Sequence, residues 1–115
     1  MVEVRVVALM FVCTLLAPRY APDPSTLKQY QADGATEIAQ GGSATGADVV
    51  LSAKVENGST TGQQSLQVEV KLSADNFTGS VTAESGAQAD GSYIQVPISA
   101  LAPGSYKWRA RAHCT

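Results

Sequence analysis

Four stretches of this chain alternate apolar and polar residues with a period of two, and no other feature constrains the fold as strongly. Val49, Leu51, Ala53 and Val55 alternate with Val50, Ser52 and Lys54; Leu66, Val68, Val70 and Leu72 alternate with Gln67, Glu69 and Lys71. Ile94, Val96 and Ile98 alternate with Gln95, Pro97 and Ser99, and Tyr106, Trp108, Ala110 and Ala112 with Lys107, Arg109, Arg111 and His113. Neighbouring side chains of a strand point to opposite faces, so each run has one face to bury and one to leave in water. A helix would repeat its apolar positions at three and four instead. The expected class is therefore all-β, with no helix from Ser25 onward.

Turn chemistry separates the runs. Asp33-Gly34 is a hairpin signal between a strand over Thr26–Tyr30 and a short return through Glu37 and Ile38. Gly41-Gly42 and Gly46 mark a loop, and the segment from Glu56 to Gly62 has pure turn composition. Pro97 has no N–H to offer a ladder, which places its run at a sheet edge. Phe77 and Val81 are expected core residues of a less regular middle section.

With 115 residues the chain is one domain, large enough for a real core. Hydrophobic residues at 44% and charged residues at 16% exclude a disordered chain. The net charge of −2 gives no general attraction to nucleic acid or anionic lipid. Ser, Thr, Gln and Gly must cover the surface, as in secreted β proteins, so the expected location is extracellular or at the cell surface.

Residues 1–17 stand apart. The apolar run Val6–Ala17 falls short of the roughly twenty residues that span a bilayer. It reads as a secretory signal or as an uncleaved structural segment; Glu3 in place of a basic head and Pro18 directly after Ala17 favour the second. Residues 18–24 carry Pro18, Pro22 and Pro24 and form an extended linker. Residues 25–115 form the sandwich.

The segment Leu101-Ala102-Pro103-Gly104-Ser105-Tyr106-Lys107-Trp108-Arg109-Ala110-Arg111-Ala112 resembles the fibronectin type III module at the corner between its fifth and sixth strands. That pattern is a leucine, Pro-Gly, a tyrosine, then alternating core residues ending in Arg-Ala. The likeness is strongest to divergent bacterial versions in secreted multidomain proteins. It implies an immunoglobulin/fibronectin type III-like two-sheet sandwich in which Leu101 plugs the core, Pro103-Gly104 turns the chain, and Trp108 is buried. Tyr106 would bury its ring and bond upstream backbone through its hydroxyl.

Against that pattern the sequence is one strand short, since a type III module has a seventh strand after the tyrosine-bearing one. An open edge of free N–H and C=O groups is an aggregation hazard. Val2, Val4 and Val6, alternating with Glu3 and Arg5, open a segment over residues 2–13 that supplies a substitute. It folds back on its own domain, or inserts into a neighbour and builds a dimer or filament, or the chain is a fragment whose last strand follows Thr115.

Chemistry is sparse. Cys13 and Cys114 lie near opposite ends, and a bond between them would be worth roughly 4–5 kcal/mol by the chain-entropy argument. Pairing within the chain, pairing between subunits and two free thiols all stay open. His113 and Cys114 are adjacent on a strand, so their side chains diverge and form no dyad. No catalytic residues, cofactor or metal site are expected. Lys107, Arg109 and Arg111 form a basic stripe with Glu69 as natural partner; the competing reading is an acidic-polysaccharide site. Tyr20, Tyr30 and Tyr93 are candidates for a sugar-binding strip, and Asn57-Gly58-Ser59 and Asn76-Phe77-Thr78 match the glycosylation acceptor. Asp33, Asp48, Asp75 and Asp90 read as turn residues. The expected function is a non-enzymatic structural, adhesion or self-assembling module. The alternative is a carbohydrate-binding or spacer module of a larger secreted enzyme, with neighbouring domains as partners.

Overall fold

The alternating runs become the long strands of a two-sheet β-sandwich in a computed structural model, which describes residues 2–6, 26–55, 63–89 and 91–114. Among these residues there are ten strands: β1 Val2–Val6, β2 Lys28–Gln31, β3 Glu37–Ile38, β4 Ser43–Ala44, β5 Val49–Lys54, β6 Gln63–Leu72, β7 Ala83–Glu84, β8 Gln88–Ala89, β9 Tyr93–Ile98 and β10 Gly104–Cys114. The larger sheet runs β4-β1-β10-β6-β7, with β8 also on β6; the smaller runs β3-β2-β5-β9. All pairs are antiparallel except β1 and β10, which are parallel.

Parity along each strand decides what is inside. Leu51 and Val96 are register partners in the smaller sheet, as are Val68 and Ala110 in the larger, and all four are buried. Ala53, Val55, Leu66, Ile94, Ile98, Trp108 and Ala112 join them in one core between the sheets. Each fully buried aliphatic of this kind contributes about 1.5–3 kcal/mol. Pro97 sits on β9, an edge strand of the smaller sheet, where its missing N–H costs no ladder bond.

The middle section departs from expectation. Phe77 is half-buried on the outside of the larger sheet, and Val81 is 41% exposed, so neither is a core residue. Leu72, at the end of its run, is 45% exposed because the chain turns away at Ser73. The first strand of the hairpin begins at Lys28, two residues later than expected. Thr26 serves instead as a side-chain acceptor for the Lys54 N–H at 2.9 Å. Ser43–Ala44, inside the expected glycine-rich loop, carries the chain across to the larger sheet as β4.

The turn at Asp33-Gly34 is held by its own side chain. Asp33 Oδ1 accepts the Ala35 and Thr36 N–H groups at 2.8 Å each, and Oδ2 accepts the Thr36 hydroxyl at 2.6 Å. Gly34 supplies the φ of 70° that the tight return needs.

Candidate functional site

Two features of the larger sheet concern function: the edge of β10 occupied by β1, and the outer face of β6 and β10. Both follow from register. β1 pairs with the first half of β10, placing Val2, Val4 and Val6 opposite Gly104, Tyr106 and Trp108. Its other edge meets β4 through Val2–Ala44 and Glu3–Ser43. Gln31 at the end of β2 fixes β4 in place: its Oε1 accepts the Thr45 N–H at 2.8 Å, and its Nε2 donates to the Ser43 carbonyl at 3.2 Å. The rest of residues 1–17, the linker 18–24 and Cys13, and with it the Cys13–Cys114 pairing, lie outside the described residues.

The corner residues converge at the end of β10 where β1 begins. Tyr106 is buried and donates its hydroxyl to the Ala102 carbonyl at 2.7 Å. Leu101 packs against the core, and its N–H donates to the Ala47 carbonyl at 2.9 Å. Just before it, Ala100 adopts a φ of 61° while Asp48 Oδ1 accepts its N–H at 2.9 Å. Trp108 is fully buried, as its alternation with core residues requires.

On the outer face the sequence places Lys71 opposite Lys107, Glu69 opposite Arg109 and Gln67 opposite Arg111. Glu69 is only 5% exposed and gathers the local donors. Arg109 Nε and Nη2 reach its Oε1 at 2.9 and 2.8 Å, while the N–H groups of Thr78 and Gly79 reach Oε2 at 2.7 and 3.2 Å. Burial on its own would raise the Glu69 carboxyl, but the Thr78 N–H, Arg109 and Gly79 N–H outweigh it and hold the group below the ordinary carboxylate range. The anchored loop lays Phe77 over the sheet, with Lys107 Nζ 4.9 Å and Arg109 Cζ 4.5 Å from the ring centroid. Between this loop and the strands lies an open cleft of about 230 Å³, lined by Gln67, Glu69, Ser80, Val81, Arg109 and Arg111 among others. Within the basic stripe, Arg109 thus has Glu69 as its cross-strand partner, as its register implies.

A second polar cluster lies toward the far end of β10. His113 is opposite Ser65 in register, and Glu84 of β7 reaches both: its Oε2 accepts the Ser65 hydroxyl and lies 2.9 Å from His113 Nδ1. The Ser65 hydroxyl, helped by Gln67 and His113 and opposed by burial, keeps the Glu84 carboxyl below its usual range. One oxygen serves both neighbours, so the histidine does not bridge serine and acid, and the cluster is a clasp between β6, β7 and β10. The sequence missed it because it depends on a register across three strands; the alternation of His113 with the arginines was its only local trace.

The remaining candidates scatter. Tyr30 and Tyr93 share the outer face of the smaller sheet but sit on different rows, Tyr30 paired with Val50 and Tyr93 with Lys54. Tyr93 is 67% exposed, Tyr30 half-buried, and Tyr20 is outside the described residues. Asn76 is exposed in the loop after β6; Asn57 and Asp90 are outside the described residues. Among the described residues no group of three or more His, Cys, Asp or Glu is placed to hold a metal ion, and no helix is long and apolar enough to cross a membrane. No family model, curated protein or solved structure matches this chain.

Proposed function

We propose that this chain is a non-enzymatic structural module of the fibronectin type III/immunoglobulin-like kind, working outside the cell as an adhesion or surface-layer subunit. Its N-terminal strand lies where a type III module has its seventh strand, and the same strand joins copies by exchange into a dimer or filament. The observation that carries the reading is the β1–β10 pairing. In a type III order, β2, β5 and β9 stand as the first, second and fifth strands and β6 and β10 as the third and sixth. The seventh strand's place is then the free side of β10, where β1 lies.

Exchange is sterically open. The nineteen residues from 7 to 25 can reach about 63 Å at full extension, against a longest molecular axis of 41 Å. Pairing with a neighbour's β10 would make the same ladder as pairing with its own, so assembly adds no new interface chemistry. The outer-face clusters support a non-enzymatic role, since their side chains are engaged in loop anchoring and cross-strand pairing.

The test uses a Cys13→Ser/Cys114→Ser background with Glu3→Cys in one preparation and Ser105→Cys in another, positions paired in the β1–β10 register. The two are mixed, unfolded, refolded together and oxidised. A cross-linked heterodimer is expected, with light scattering showing dimers or longer assemblies of the unmodified chain. A strictly monomeric protein that cross-links only when both cysteines are on one chain would remove the exchange. A chain lacking residues 1–17 that stays equally stable would remove the strand replacement as well.

A further inference from the structure

We infer that the outer face of β6 and β10, centred on Lys71 and Lys107, binds an acidic polysaccharide, one whose sugars carry carboxylate or sulfate groups. One arrangement on this face is unfavourable for the isolated domain. Lys71 and Lys107 are direct register partners on one face of an antiparallel pair. Residues directly opposite one another have Cβ atoms about 5 Å apart, and like charges in that position are destabilising. A sheet face needing only solubility would set opposite charges there, as Glu69 and Arg109 do one row away.

The local balance leaves the repulsion standing. Lys71 Nζ approaches Glu69 only to 3.9 Å, and that carboxylate is already held by Arg109 at 2.8 Å. Lys107 has no ion pair among the described residues; its neighbour is the Phe77 ring. Half of the eight Lys and Arg residues of this acidic chain, Lys71, Lys107, Arg109 and Arg111, lie on this face. Positive charge is therefore concentrated here against a net charge of −2.

The geometry suits a linear, flexible polyanion. Lys107, Arg109 and Arg111 follow one strand at intervals of about 6.8 Å, a straight row in which Arg109 is paired with Glu69 and Arg111 is bonded to Gln67. Beside this row, an open surface depression presents Ser80 and Gln67 next to the exposed Val81. Phe77, the only aromatic on this patch among the described residues, is occupied by two cations, so the face lacks a stacking platform for bases. This favours polysaccharide over nucleic acid.

The test is affinity electrophoresis of the full chain through gels containing polygalacturonate, dextran sulfate, neutral dextran or single-stranded DNA. Retardation by at least one of the two acidic polysaccharides, none by dextran and weaker retardation by DNA are expected. Lys71→Gln/Lys107→Gln should weaken the retardation at least tenfold. Lys28→Gln/Lys54→Gln, an equal charge change on the smaller sheet, should leave it within twofold. Removing the lysine pair relieves repulsion, so thermal unfolding of that variant should show no loss of stability. Equal weakening by both pairs, tighter binding to DNA, or no retardation by either polysaccharide would overturn the assignment. The oligomeric state, measured in parallel, reports on strand exchange separately.

Discussion

The indole N–H of Trp108, on β10 of the larger sheet, donates to Oε1 of Gln29, on β2 of the smaller sheet, at 2.9 Å inside the core. Gln29 in turn gives its Nε2 to the Ala39 carbonyl at 3.0 Å, so one glutamine ties the central tryptophan to the chain leaving β3. A buried donor that loses its acceptor bears its full desolvation cost, about 1–3 kcal/mol. Gln29→Leu, close to it in size, should therefore destabilise the fold by about 2 kcal/mol in urea unfolding. Trp108→Phe should cost at least as much, through lost volume and a stranded glutamine oxygen. If the pair acts as a unit, the double variant will cost less than the sum of the singles.

Tyr106→Phe isolates the corner hydrogen bond, because the ring and its packing are kept. The lost bond to the Ala102 carbonyl should cost about 1 kcal/mol, seen as a lower urea midpoint with an unchanged slope. An unchanged midpoint would mean that water replaces the bond without loss.

Ala100 holds a left-handed φ of 61°, a region that disfavours a side chain by about 1 kcal/mol. Ala100→Gly should raise stability by about 0.5 kcal/mol, the relief being partly offset by the freer unfolded chain. Asp48→Ala removes the acceptor of the Ala100 N–H and should act in the opposite direction. Thermal melts of the two variants provide the check.

Acid sensitivity follows from three depressed carboxyls, Asp33, Glu69 and Glu84. Glu69 is held below its ordinary value, so its contribution is complete above about pH 4.3 and fades as pH falls through the lower folded-state value. Asp33, whose turn hydrogen bonds lower it to about 2, behaves the same way between about pH 4 and pH 2. Glu69→Gln and Asp33→Asn should each flatten the acid limb of a stability-versus-pH series. Neither should alter the slope above pH 6.

The long strands were readable because two residues per period, repeated four times, leave little freedom: apart from Leu72, β5, β6, β9 and β10 cover the side their apolar residues mark, though β5 also buries Val50 and Ser52 on the face expected in water. The corner was equally plain, since Leu101, Pro103-Gly104 and Tyr106 act within one short segment. What the sequence hid is non-local. β4, β7 and β8 are two residues long and carry no period. Gln29 looks like a surface residue until a buried indole needs an acceptor. Phe77 announces by its ring that it will be covered, but not that cations on the outer face will cover it. For β1 the valine alternation showed strand character, while its parallel direction is set by the path of the chain and is written in no local residue.

That direction has a mechanical consequence. Tension applied through Val2 and Cys114 would draw β1 and β10 toward opposite poles along their common axis, because the two strands run the same way. Their evenly spaced ladder is then loaded all at once and must slide as a whole, whereas an antiparallel closing strand held by the same ends would peel apart one bond at a time.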